Sequence, residues 1–201
     1  MNFILEFNDY LTSRTKSLTK EEFLSILKEN CSYFSFNNDQ LYRKTNNFFG
    51  KYGLFTSEER KGTIGNYSYN TFFNLRKNYP VPRYKSIIGS TNKEGAKYFG
   101  SSNLVCLVIP FDNSEIVFAG APDLGLWSVV DQQFTDDLFV LKNYDKDFKI
   151  PNKRLESILQ SSKLSSWTNI SQKYGFEFFT NSNCLLLDLS EIDWLKKELS
   201  K

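Results

Sequence analysis

Along the 201 residues the apolar positions keep two different periods. In "LTKEEFLSILKEN", Phe23, Ile26 and Leu27 recur at helical spacing, which places them on one face of an amphipathic helix. Thr19 followed by Glu22 makes a capping box, and Leu18 with Phe23 supplies the hydrophobic staple. Asn30 is the predicted stop. From Phe34 to Arg60 the pattern turns polar and aromatic, with one short strand predicted around "DQLYRKT". "GTIGNYSYN" is predicted to be a loop. "NTFFNLRKN", Asn70 to Asn78, is predicted to be a short helix closed by the prolines of "YPVP".

The rhythm then shortens. Runs rich in β-branched and aliphatic residues at Lys85–Ile88, Leu104–Ile109, Glu115–Ala119 and Leu138–Lys142 predict strands, each bounded by Gly, Pro, Asn or Asp. Between the first two, Asn92 as N-cap and Gly100 as stop frame a short helix. Further helices are predicted at Pro151–Lys163 and Ser165–Tyr174. "FEFF" and "CLLLDL" are predicted to form a hairpin across Thr180–Asn183. "SEIDWLKKEL" reads as a closing amphipathic helix boxed by Ser190 and Asp193. The fold class expected is α+β: a mostly antiparallel sheet with N-terminal and C-terminal helices. One domain spanning 1–201 is expected, with a helical part at about 1–35, a core at about 38–145 and a tail at about 150–201.

Composition narrows the chemistry. Hydrophobic residues make up 40% and aromatic residues 16%, enough for a packed core rather than a disordered chain. Lys+Arg 25 against Asp+Glu 23 neither demands nor excludes a nucleic-acid partner. The three cysteines, Cys31, Cys106 and Cys184, match no disulfide framework and no paired metal spacing. They are expected to be free, buried thiols in a reducing compartment. "MNFILEFNDYL" carries Glu6 and Asp9 and lacks a basic start, so no signal peptide is expected, and no apolar run approaches a membrane span. A cytoplasmic protein without membrane attachment is the expectation. There is no histidine, which removes Ser-His and Cys-His devices and imidazole metal sites together. Any catalysis must use carboxylates, Tyr, Lys, Arg and hydroxyls, and no metal site is expected.

Three small constellations could carry such chemistry. In "LYRK", Arg43 offers a planar guanidinium that can hold a phosphate bidentately; alone it reads equally as a surface arginine on an edge strand. "GSTN", with Ser90 and Thr91, precedes the short helix and alone is an ordinary turn and cap. Downstream lies an acidic region with Asp123, Asp131, Asp136 and Asp137, which alone reads as solvated loop carboxylates.

Taken in order, "LYRK", "IIGSTNKEGAKYFG" and "LVCLVIPFD" resemble the layout of ADP-ribosyltransferases of the Arg-Ser-Glu type. The longer pattern "NTFFN…YPVPRYKSIIGSTNKEGAKYFG…LVIPFDNSEIVFAGAPDLGLW" is similar to phage-associated and antiphage-toxin domains of that superfamily. The resemblance covers about Asn38 to Leu141 and implies a mixed, mostly antiparallel split sheet. It also implies NAD as substrate, cleavage of the nicotinamide–ribose bond, and transfer of ADP-ribose to a macromolecular acceptor. A role as a toxin or effector in phage–host conflict follows from the same resemblance. RNA or DNA is favoured slightly over protein as acceptor, because Lys, Arg and aromatics interleave across 40–85. An antitoxin or inhibitor protein is a candidate partner.

By this resemblance Arg43 holds the NAD phosphates and Arg83 is a second phosphate contact. Ser90 and Thr91 brace the acidic side chain and the nicotinamide ribose, while Tyr98 or Phe99 packs near the nicotinamide. Asn92, where the pattern has serine, is expected to serve the helix cap. The pattern's glutamate motif is expected about 40 residues after the serine motif, no glutamate sits there, and Asp123 or Asp131 is expected to replace it. Asp137 and Glu115 are further candidates. If none of these acts, the chain is a non-catalytic binding, inhibitor or phage accessory protein on a degenerate version of the same fold.

Overall fold

The computed structural model describes residues 15–38, 40–45, 50–56, 86–97, 104–119, 163–166 and 177–201. In chain order these form β1 (Thr15–Ser17), α1 (Lys20–Asn30), β2 (Leu41–Thr45), β3 (Tyr52–Phe55), β4 (Ile87–Ser90), α2 (Lys93–Ala96) and β5 (Leu104–Pro110). They continue with β6 (Glu115–Ala119), β7 (Lys163–Ser166), β8 (Glu177–Thr180), β9 (Cys184–Asp188), a 3-10 turn (Leu189–Glu191) and α3 (Ile192–Leu199). The α+β class is therefore as expected. The strands form one nine-stranded sheet in the order β1-β3-β9-β5-β2-β4-β8-β6-β7. Every described pairing is antiparallel.

α1 starts where its sequence dictates. The Thr19 hydroxyl accepts from the Glu22 amide, and the Glu22 carboxylate accepts from the Thr19 amide at 2.8 Å, completing the predicted box. Phe23 and Leu27 are buried, so the apolar face does anchor the helix. β2 alternates as a half-covered strand should, with Leu41, Arg43 and Thr45 buried and Tyr42 and Lys44 half-buried.

β9 shows what a continuous apolar run means. Cys184, Leu185, Leu186 and Leu187 are all essentially inaccessible, because β9 lies between β3 and β5 and is covered on both faces. β9 is thus interior to the sheet. β8 and β9 are not a hairpin. β8 pairs with β4 and β6, β9 pairs with β3 and β5, and the chain crosses between the two halves through 181–183. Each strand has both edges satisfied by distant partners, leaving none for its sequence neighbour.

Other expectations shift as well. The strand predicted at Lys85–Ile88 runs Ile87–Ser90, and an unpredicted β3 enters at Tyr52. Lys163 and Ser165, placed in helices by pattern, lie on β7, which pairs with Glu115–Phe118; strand pairing overrides the weak local preference of "KLSS". Ser190 caps nothing: Asp188 accepts from the Ser190 amide at 2.8 Å, so the turn begins two residues earlier and the Ser190–Asp193 box does not form. The predicted loop at 62–70, helix at 70–78, strand at 138–142 and most of the helices across 151–174 lie outside the described residues, as does Gly100.

α3 is fixed by one polar cluster in an aromatic setting. Tyr52 packs against Phe23 and, edge to face, against Trp194, with both centroid separations 5.4 Å. The Lys20 ammonium sits 4.0 Å from the Trp194 ring centroid. Glu191, 8% exposed, accepts from the Tyr52 hydroxyl at 2.5 Å and from the Lys51 ammonium. The Lys51 and Tyr52 hydrogen bonds hold the Glu191 carboxyl below its ordinary range, while burial and the bond to Glu191 push the Tyr52 phenol up. Because the folded-state value is depressed, the ionised carboxylate favours the folded state. Its contribution is complete above about pH 5 and is lost as pH falls through the folded value. Glu191→Gln is therefore expected to be less stable than wild type near pH 7, with the difference shrinking below about pH 4. Chemical denaturation across that pH range checks it; a difference that grew on acidification would contradict the assignment.

Candidate functional site

The sheet consists of two blocks joined at a narrow place. β1, β3, β9, β5 and β2 form one block, and β4, β8, β6 and β7 the other. β2 and β5 pair over five residues, yet β2 and β4 share one register pair, Tyr42 opposite Ser90. Next along the same row, Ser90 stands opposite Glu177, and Glu177 opposite Ala119. Directly opposed residues of antiparallel strands put their side chains on the same face, with Cα atoms about 4.5–5.5 Å apart. Tyr42, Ser90 and Glu177 therefore form one polar row across the junction.

Ser90 is fully buried and Glu177 is 2% exposed. A carboxylate at that depth is rare unless the surroundings satisfy it, and such residues concentrate at functional sites. Ser90 ends β4, and its hydroxyl oxygen accepts from the Asn92 amide at 2.9 Å, so the turn out of the strand fixes the serine. Asn92 then caps α2, its side-chain oxygen accepting from Glu94 at 2.8 Å and Gly95 at 3.5 Å. The expected cap role of Asn92 is what is observed. Thr91, half-buried, lies in the turn between them. Burial raises the Tyr42 phenol above its ordinary value, so it stays a protonated hydroxyl.

Arg43 is neither on a surface nor on an edge. It is 1% exposed, lies in a central strand, and is the bulkiest fully buried side chain among the described residues. Strand alternation puts it on the face opposite Tyr42. Its Nη1 donates to the Ile88 carbonyl of β4, so the guanidinium bonds across the junction between the blocks. Burying a guanidinium is costly unless its donors are met, and this bond both meets one donor and holds β4 against β2.

The thiols offer no nucleophile. Burial pushes Cys31 and Cys106 up to about 12; the Arg43 charge opposes the effect at Cys106 and the Asp112 charge adds to it at Cys31. Cys184 is raised by burial too. All three are free and buried, as expected. Among the described residues no three Cys, Asp or Glu side chains are grouped to hold a metal ion. No helix among them is long and apolar enough to cross a membrane.

Of the residues named from sequence, the fold brings Arg43, Ser90 and Thr91 to one junction. Arg83, Tyr98, Phe99, Asp123, Asp131 and Asp137 lie outside the described residues. Glu115 is on β6, opposite Ser166. Sequence reasoning missed Glu177. Its signal was a lone glutamate opening the run "EFFT", well beyond the stretch in which the resemblance places the acidic residue. No family model, no curated protein and no solved structure matches the chain.

Close approach at the junction depends on Gly89. A Cβ there would lie 2.2 Å from the Tyr42 carbonyl oxygen and 2.6 Å from Phe178 Cε1. The first of these is backbone of the neighbouring strand, so the strands themselves must separate to accommodate it. Gly89→Ala is expected to cost about 2 kcal/mol or more and to lower the melting temperature by several degrees. A thermal melt that matched wild type would show that β2 and β4 do not close as described.

Proposed function

We propose that the Tyr42–Ser90–Glu177 row, with Arg43 behind it, is the NAD site of a mono-ADP-ribosyltransferase. The observation that carries this reading is the buried Glu177 directly opposite Ser90, on the strand beside β4. It puts a glutamate beside the serine, although further along the chain than the place where the resemblance implies one. The meeting of two sheet blocks at one register pair agrees with the split sheet the resemblance implies.

In this reading the bond between nicotinamide and the ribose C1′ breaks and its electron pair leaves with the nicotinamide nitrogen. C1′ becomes oxocarbenium-like, and a nucleophile of the acceptor bonds to it and gives up its proton. Glu177 holds the anionic charge that favours this transition state. Ser90 orients that carboxylate and the ribose, and Tyr42 keeps its hydroxyl proton beside them. Arg43, on the face of β2 opposite Tyr42 and bonded to Ile88, acts as a positioning residue that fixes β4. Arg83, Tyr98 and Phe99 keep their proposed roles at the phosphates and the nicotinamide. The acceptor is a macromolecule, with RNA or DNA favoured over protein. The setting is the bacterial cytoplasm, in phage–host conflict, with an antitoxin or inhibitor protein as partner.

The second reading, a non-catalytic binding or accessory protein on a degenerate fold of this type, is favoured by the same burial, since Arg43, Ser90 and Glu177 are all 2% exposed or less. Labelled NAD incubated with lysate, and then with separated RNA, DNA and protein fractions, distinguishes the two. The enzyme is expected to release nicotinamide and label one fraction. Glu177→Gln, which keeps the side chain's shape, is expected to reduce this at least about 100-fold while the protein stays folded. Absence of nicotinamide release with every fraction would favour the binding protein. Activity kept in Glu177→Gln but lost in Asp123→Ala or Asp131→Ala would move the carboxylate to those positions.

A further inference from the structure

At the other end of β8 from Glu177, about 10 Å along the strand, the fold builds a second polar site. The C-terminal end of α1, the β5–β6 turn and the 181–183 crossing line an open hollow of about 440 Å³. That volume is within the usual range for small-ligand sites. Its walls are tied down by backbone bonds: Asp112 N donates to Asn30 O at 2.8 Å and Phe111 N to Asn183 O at 3.1 Å. The site is thus formed before anything enters it.

Its chemistry is one-sided. Both charged residues lining it, Glu29 and Asp112, are acidic, and no Lys or Arg lines it among the described residues. The Asp112 oxygens are already occupied by the Ser32 amide and hydroxyl and the Tyr33 amide, at 2.9, 2.8 and 3.2 Å. Glu29 accepts one bond, from the Ser25 hydroxyl at 3.0 Å. The amides of Asn113 and Asn181 add carbonyl acceptors. Ser114, also in the lining, is 1% exposed, and its hydroxyl has no hydrogen-bond partner among the described residues. A buried hydroxyl left unpartnered is unfavourable, and a bound ligand would relieve it.

We propose that this hollow binds a guanidinium group, with Glu29 as its counter-charge and Ser114 as a hydrogen-bond partner. A guanidinium is planar, always charged, donates five hydrogen bonds and accepts none. An ammonium matches the charge but not the planar spread of donors that these acceptors can meet. The group arrives either as free arginine or as an arginine side chain of a partner protein, and the site stands whether or not the NAD reading does.

Calorimetric titration of the full chain with L-arginine, N-acetyl-L-arginine methylamide and N-acetyl-L-lysine methylamide tests this. Saturable binding of an arginine form is expected, roughly millimolar or tighter, with the lysine form about tenfold weaker. Preference for L-arginine would indicate the free amino acid, and preference for the blocked form a protein-borne side chain. Glu29→Gln is expected to weaken binding about tenfold, and added salt to weaken it further. Ser114→Ala should weaken binding without lowering the melting temperature, since it removes a hydroxyl that has no internal partner. Failure of both arginine forms to saturate, equal binding of lysine and arginine, or unchanged affinity in both variants would overturn the proposal.

Discussion

The two blocks of the sheet meet at β2 and β4 over one shared apolar core, and the buried Arg43 guanidinium bonds across that junction to the Ile88 carbonyl. β2 and β4 share only one register pair, so the ladder alone gives little to hold the two blocks of the sheet together. A hydrogen bond from a charged donor is worth about 1.5–3 kcal/mol, more than a neutral one, and here it crosses the junction itself. Gly89 makes the approach sterically possible, and Arg43 makes it favourable. The polar row of Tyr42, Ser90 and Glu177 exists because those two conditions are met.

Around that junction the structure is conventional, and its polar atoms are placed for evident reasons. Tyr52 joins α1, β3 and α3 through Phe23, Trp194 and Glu191, so one residue brings three elements to a common point. Asp112 closes the end of α1 onto the β5–β6 turn through Ser32 and Tyr33. The same closure shapes the hollow next to Ser114. Two polar sites thus lie at opposite ends of β8, one around a buried carboxylate and one around an unpartnered hydroxyl.

Much of the local structure was legible in the chain. The Thr19–Glu22 box, the Phe23 and Leu27 face, the Asn92 cap and the strand at Glu115–Ala119 are written in short windows, and short-range physics decides them. Arg43 and Ser90 were legible as candidates because their residue types suit the chemistry. Glu177 was not, since nothing local says that a glutamate opening "EFFT" will stand opposite a serine so far away in sequence. The pairing of "FEFF" with "CLLLDL" failed for the same reason: adjacency along the chain is a good guess for a hairpin, but here both strands found better partners elsewhere.

The sequence by itself determined the capped ends of α1 and α2 and several of the strands, that the thiols match no disulfide framework, and that imidazole chemistry is excluded. Capping, periodicity and composition act within a few residues, so they survive without knowledge of the fold. Only the tertiary structure decided that Arg43 is interior, that β9 lies mid-sheet, and that Tyr42, Ser90 and Glu177 share a row. Those facts depend on which strand edges meet. Edge pairing is settled by the competition of all strands for partners over the whole chain, not by any one of them.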